Sequence, residues 1–154
     1  MNNMPNFAKE DYQKIVETLA LIAWKIELQE NLHRGKAFKL AINTTVAVAE
    51  NFAVKPFEKK LAQDLQTFLQ NLPEDRQTIF EFEQTRSVRE KVRDVIRLFM
   101  TQAENSQVRV FANFLFRFAS RLTEVSGQSF AGMGRKLDAG EAEILIDIRD
   151  ELPR

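Results

Sequence analysis

The chain has 154 residues, with 22 Lys+Arg against 22 Asp+Glu, 44% apolar residues, 5 Gly, 4 Pro, one His and no Cys. One ordered globular domain is expected, burying roughly 70% of the surface its unfolded form exposes. The missing Cys excludes disulfides, thiolate metal sites and cysteine nucleophiles, which fits a cytoplasmic protein. No uncharged apolar run approaches the length of about 18 residues that a membrane span needs.

The opening MNNMPNFAKEDY has neither a basic n-region nor an apolar h-region, so no signal peptide is expected. A first helix should open at Pro5 or Asn6 and run to about Leu32, with Gly35 as its stop. Tyr12, Ile15, Leu19, Ile22 and Ile26 form one apolar stripe, and Leu21, Trp24, Leu28 and Leu32 form a second on nearly the opposite side. A helix apolar on two sides is either the central element of its own bundle or shared with a partner protein. Leu21, Trp24 and Leu28 are therefore candidate protein contacts.

Lys36 to Phe52 is apolar on most of its circumference and reads as a buried helix, although the alternation in TTVAVA leaves a strand open. A third helix starts at Lys55-Pro56, where a proline's missing N–H does no harm, and carries the stripe Phe57, Leu61, Leu65, Phe68, Leu69 up to Pro73. The segment IFEFE at 79–83 is read as a short helix, with a strand as the alternative.

Ser87 and Glu90 stand at capping-box spacing. Beyond them Val88, Val92, Val95, Ile96 and Phe99 share one side of a helix, and Arg86, Arg89, Arg93 and Arg97 share the other. After a joint near Asn105 and Ser106, Phe111, Phe114, Leu115, Phe118, Leu122 and Val125 give the core face of a long helix that Gly127 should stop. Arg109, Asn113, Arg117 and Arg121 follow one flank at i, i+4. Phe116 falls among the polar residues and is either a docking group or a sign that the bundle wraps further round.

GQSFAGMGRKLDAGEA is glycine-rich and reads as a linker, and in the acidic end that follows Ile144, Leu145, Ile148 and Leu152 make one more apolar face. The chain thus divides into a bundle at 1–127, a linker at 128–140 and an acidic segment at 141–154. The expected fold is all-α, a single bundle of about five helices with a short acidic C-terminal helix or tail.

Charge is distributed unevenly. Residues 1–83 hold 10 Lys+Arg and 12 Asp+Glu, residues 84–136 hold 10 and 4, and residues 137–154 hold 2 and 6. A basic middle precedes an acidic end.

No catalytic constellation accompanies this pattern. Glu30 and His33 match the Glu-x-x-His spacing of di-iron bundles, but His33 is the chain's one histidine and a second such motif is impossible within it. No Gly-x-Ser-x-Gly elbow is present, and Gly132-Met133-Gly134-Arg135-Lys136 lacks the spacing and the Ser/Thr of a phosphate loop. No catalytic residue, metal or cofactor is expected, and the chain is not expected to be an enzyme.

The arginines remain. Between 84 and 121 only Glu90, Asp94 and Glu104 are local acidic partners for eight basic residues. One reading is a solvated or internally paired face. The other is an electrostatic track for a nucleic-acid backbone, which needs several cations on one surface and no particular bases.

These arginine-lined helices, with the small size and the missing catalytic groups, resemble the small all-helical subunit of CRISPR effector complexes of the Cascade type. The segment VRVFANFLFRFASRLTEVSG is similar in character to the aromatic-rich penultimate helix of such subunits. The resemblance implies a role in antiviral defence, in a ribonucleoprotein assembly whose guide-paired or displaced strands are held through Lys and Arg. Arg86, Arg89, Arg93, Arg97, Arg109, Arg117 and Arg121 would be the backbone contacts, with Arg135 and Lys136 of the linker adding to them.

The expected function is non-enzymatic, nonspecific binding of RNA or single-stranded DNA beside other protein subunits, with more than one copy per assembly allowed. The alternative is a helical protein-protein adaptor or regulator without nucleic acid, its acidic tail covering its own basic face.

Overall fold

A computed structural model of the chain describes residues 6–28, 36–71, 88–128 and 139–152. These residues form six α-helices: α1 Lys9–Ala23, α2 Lys36–Phe52, α3 Pro56–Gln70, α4 Val88–Gln102, α5 Asn105–Gln128 and α6 Ala139–Glu151. There is no strand among the described residues. The all-α bundle is as expected, with six helices where about five were foreseen. IFEFE at 79–83, the Ser87 cap, the Glu30/His33 pair and most of the linker lie outside the described residues.

Helix α1 is the axis of the molecule. It packs against α3, α4 and α5, and the π-helical turn Trp24–Leu28 that continues it packs against α2 and α5. Neighbours on every side are what its two apolar stripes require. Ile15, Leu19, Ile22 and Ile26 are buried, and so are Leu21, Trp24 and Leu28 on the other side. Burying one such side chain contributes about 1.5–3 kcal/mol.

The start of α1 differs from the expectation. The helix begins at Lys9 rather than at Pro5 or Asn6, with Ala8 as an extended cap that offers no side-chain oxygen. Phe7 stays outside the helix, and its ring lies 5.9 Å from Phe57 and 4.9 Å from Phe99. Glu10 and Asp11 occupy the first turn, where carboxylates complement the helix dipole.

Helix α2 settles the helix-or-strand alternative at Thr44–Ala49. Its β-branched residues are accommodated because Thr45 is buried and its Oγ1 donates 2.9 Å to the Ala41 carbonyl, so the hydroxyl is satisfied within the helix. Helix α3 starts at Pro56 as read. The buried Glu58 explains the sharpness of that start: its Oε1 accepts from the backbone N–H of Val54 at 2.9 Å and of Lys55 at 3.0 Å.

Helices α4 and α5 form a hairpin through Ala103 and Glu104. The turn is closed when Glu104 N–H donates 2.9 Å to the Gln107 side chain and Ala103 N–H donates 2.8 Å to the Phe99 carbonyl. Phe99 and Phe111 stack across the hairpin with centroids 4.1 Å apart, and the series continues through Phe114 to Phe118. Helix α5 runs through Gly127 to Gln128, so the expected glycine stop does not act there. Helix α6 lies on α4 and α5, with Ile148 buried and Ile144, Leu145 and Leu152 packed against the core. No helix among the described residues is long and apolar enough to cross a membrane.

Candidate nucleic-acid interface

The amphipathic division of α4 determines which way its arginines point. Val88, Val92, Val95, Ile96 and Phe99 are all buried, which turns Arg89, Arg93 and Arg97 outward on the opposite side. Of the three, Arg97 is exposed and Arg89 and Arg93 are half-buried. These last two meet α6.

Three carboxylates of α6, at spacing i, i+3 and i+4, converge on those two guanidinium groups. Arg89 Nη2 donates 2.8 Å to Asp150, while its Nε sits 3.6 Å from Asp147 and 3.5 Å from Glu151. Arg93 grips Glu151 with both arms of its fork, Nη2 at 2.8 Å and Nε at 3.2 Å. Hydrogen bonding from Arg93 holds the Glu151 carboxyl below its ordinary range; desolvation opposes it, and the charges of Arg93, Arg89 and Arg97 add to the lowering. The other flank of α4 is tied to the axis, where Lys91 lies 3.9 Å from Glu17 of α1.

On α5 the row foreseen along one flank is open. Arg109, Asn113, Arg117 and Arg121 are all exposed. Arg121 pairs at 2.7 Å with Glu124 on its own helix. Arg97, Arg109 and Arg117 have no ion-pair partner among the described residues. Two steps of i+4 at 1.5 Å per residue set Arg109 and Arg117 about 12 Å apart along the axis, with Arg121 about 6 Å further on.

The remaining candidates divide clearly. Arg86, Arg135 and Lys136 lie outside the described residues. Leu21, Trp24 and Leu28 are 0%, 4% and 0% exposed. They are core residues around the central helix and present no surface to a partner in this conformation. Phe116 is half-buried and packed against the core, so the bundle does wrap further round α5 than its polar neighbours suggest.

A second polar cluster was not visible in the sequence beyond the i, i+4 spacing of Lys60 and Asp64. The Tyr12 hydroxyl donates to Asp64, and Lys60 Nζ reaches the same carboxylate at 2.8 Å while lying 4.1 Å from the centre of the Tyr12 ring. Burial first, and then the bond to Asp64, push the Tyr12 phenol far above its ordinary value. Burial works to raise Asp64 as well, but the hydrogen bonds from Lys60 and Tyr12 outweigh it and hold the carboxyl low. A phenol held protonated beside a charged carboxylate ties α1 to α3. No group of three or more His, Cys, Asp and Glu placed to hold a metal ion occurs among the described residues.

Comparison of the chain with protein-family models, with curated proteins and with solved structures gives no match.

Proposed function

We propose that the chain is a non-enzymatic helical subunit that binds a nucleic-acid backbone, RNA or single-stranded DNA, within a larger ribonucleoprotein assembly. The observation that carries this reading is the exposed arginine row of α5, Arg109, Arg117 and Arg121 with Asn113 among them, with Arg97 also exposed on the paired helix. A row of guanidinium groups on a rigid helix suits repeated phosphates, because each fork takes two oxygens and no base is read. Its likeness to the small CRISPR subunits is one of architecture and charge.

A gel-shift series with single- and double-stranded DNA and RNA tests the proposal. With about four phosphate contacts on a single strand, affinity should fall about fifty-fold between about 50 and about 200 mM salt. Arg109→Glu together with Arg117→Glu should abolish the shift. Absence of any shift at about 50 mM salt sinks the proposal.

The adaptor reading draws support from a different observation: Arg89 and Arg93 are already neutralised by the carboxylates of α6. A face satisfied from within needs no polyanion, and its surface would then serve other proteins.

A further inference from the structure

Helix α6 is attached to the bundle in an unusual way for a terminal helix. Its anchor is shallow: among its described side chains Ile148 alone is fully buried, Ile144 and Leu145 are half-buried, and Ile146 is 46% exposed. Its remaining hold is ionic, through the Arg89 and Arg93 side chains, each 42% exposed, and carboxylates of which Asp150 is exposed and Glu151 is partly buried. Ion pairs in contact with water are screened by salt. A helix of 13 residues is also marginal by itself.

The chemistry of the contact is specific, and its hold is sensitive to salt. Arg89, Arg93 and Arg97 lie one turn apart on a single strip of α4. The two-armed grip of Arg93 on Glu151 is the geometry a guanidinium takes on a phosphate. Asp147, Asp150 and Glu151 thus place anionic oxygens on the guanidinium groups that a phosphate would take, on the strip of α4 that also carries the exposed Arg97.

We propose that α6 is a displaceable cover that occupies Arg89 and Arg93 as a stand-in for a nucleic-acid backbone, so that a bound strand competes it away and gains both arginines. The proposal rests on the nucleic-acid reading above. Ten residues, 129–138, separate α5 from α6 and tether the cover near its seat. In the covered state the strand meets only Arg97 and the α5 row. In the uncovered state the row gains two further forks, which raises affinity without any new residue entering the site.

The test uses the full chain and an oligo-dT of about 20 nucleotides at fixed salt. Neutralising the cover without changing its shape, by Asp147→Asn, Asp150→Asn and Glu151→Gln together, should tighten binding about tenfold. Equal affinity of this variant and the wild type overturns the cover and leaves the nucleic-acid reading standing. Absence of binding by either protein overturns both.

A second measurement needs no variant. Amide hydrogen exchange of the wild-type chain should show loss of protection across α6 when the strand is saturating, with α1 and α4 unchanged or better protected. Undiminished protection of α6 in the bound protein overturns the cover even where the triple variant fails to fold.

Discussion

Helix α4 is held in two contrasting ways along its length. Near its C-terminal end Phe99 sits among Phe7, Phe57 and Phe111, rings from the N-terminal segment, α3 and α5. At its N-terminal end Arg89 and Arg93 meet α6 through solvent-edge ion pairs, the Arg89–Asp150 pair exposed and the Arg93–Glu151 pair part-buried, beside one buried isoleucine. Aromatic packing stays strong in salt and at any ordinary pH, whereas the charge contact depends on both. The same helix is therefore a structural member at one end and an adjustable surface at the other.

The largest expected effect breaks the aromatic end. Phe99→Ala removes the ring that three others touch and should destabilise the whole bundle by about 3–5 kcal/mol, read from the midpoint of urea unfolding followed by circular dichroism. A loss below about 1 kcal/mol would mean that the cluster is not the keystone it is taken for.

A smaller effect is expected at the other end. Ile148→Ala should loosen α6 by about 2 kcal/mol in hydrogen exchange while the global unfolding midpoint moves much less. A global loss equal to the local one would show that α6 unfolds with the core and not ahead of it.

The smallest effect is a titration. Glu151 has a folded-state pKa below its ordinary 4.5, so its contribution is fully present above that value and is lost as pH falls through the lower, folded one. The groups facing it are the guanidiniums of Arg89, Arg93 and Arg97. Lowering pH below 4.5 should therefore increase exchange in α6, and Glu151→Gln should flatten that response. An unaltered pH response in this variant would assign the loosening to other carboxylates.

Much of this fold could be read from periodicity. The stripes of α3 and α4 were legible because each has one buried face, and a 3.6-residue period reports one face well. Other features depend on distant partners and leave no local trace. Phe7 leaves the first helix for rings on α3 and α4, which moves the start to Lys9. The count of local acidic residues around the arginines could not include Asp147, Asp150 or Glu151, which lie about sixty residues away in the chain and reach α4 only through the fold.

The second stripe of α1 showed that Leu21, Trp24 and Leu28 are covered, but not by what; a partner and an intramolecular neighbour impose the same pattern. The π-helical turn at Trp24–Leu28 has no sequence signature at all. For the candidate site, the α5 row was legible at i, i+4, while the occupancy of Arg89 and Arg93 was not.

The chain carries one Trp and one Tyr, and the fold gives them separate postings. Trp24 is buried in the turn that packs on α2 and α5, with an indole N–H that has no hydrogen-bond partner among the described residues. Tyr12 stands at the α1–α3 seam on Asp64. Neither belongs to α6, which rests on α4 and α5. Intrinsic fluorescence is therefore a built-in optical reporter of the bundle alone, with indole emission tracking the middle of the molecule and phenol absorbance the seam, so that any event confined to α6 passes in the dark.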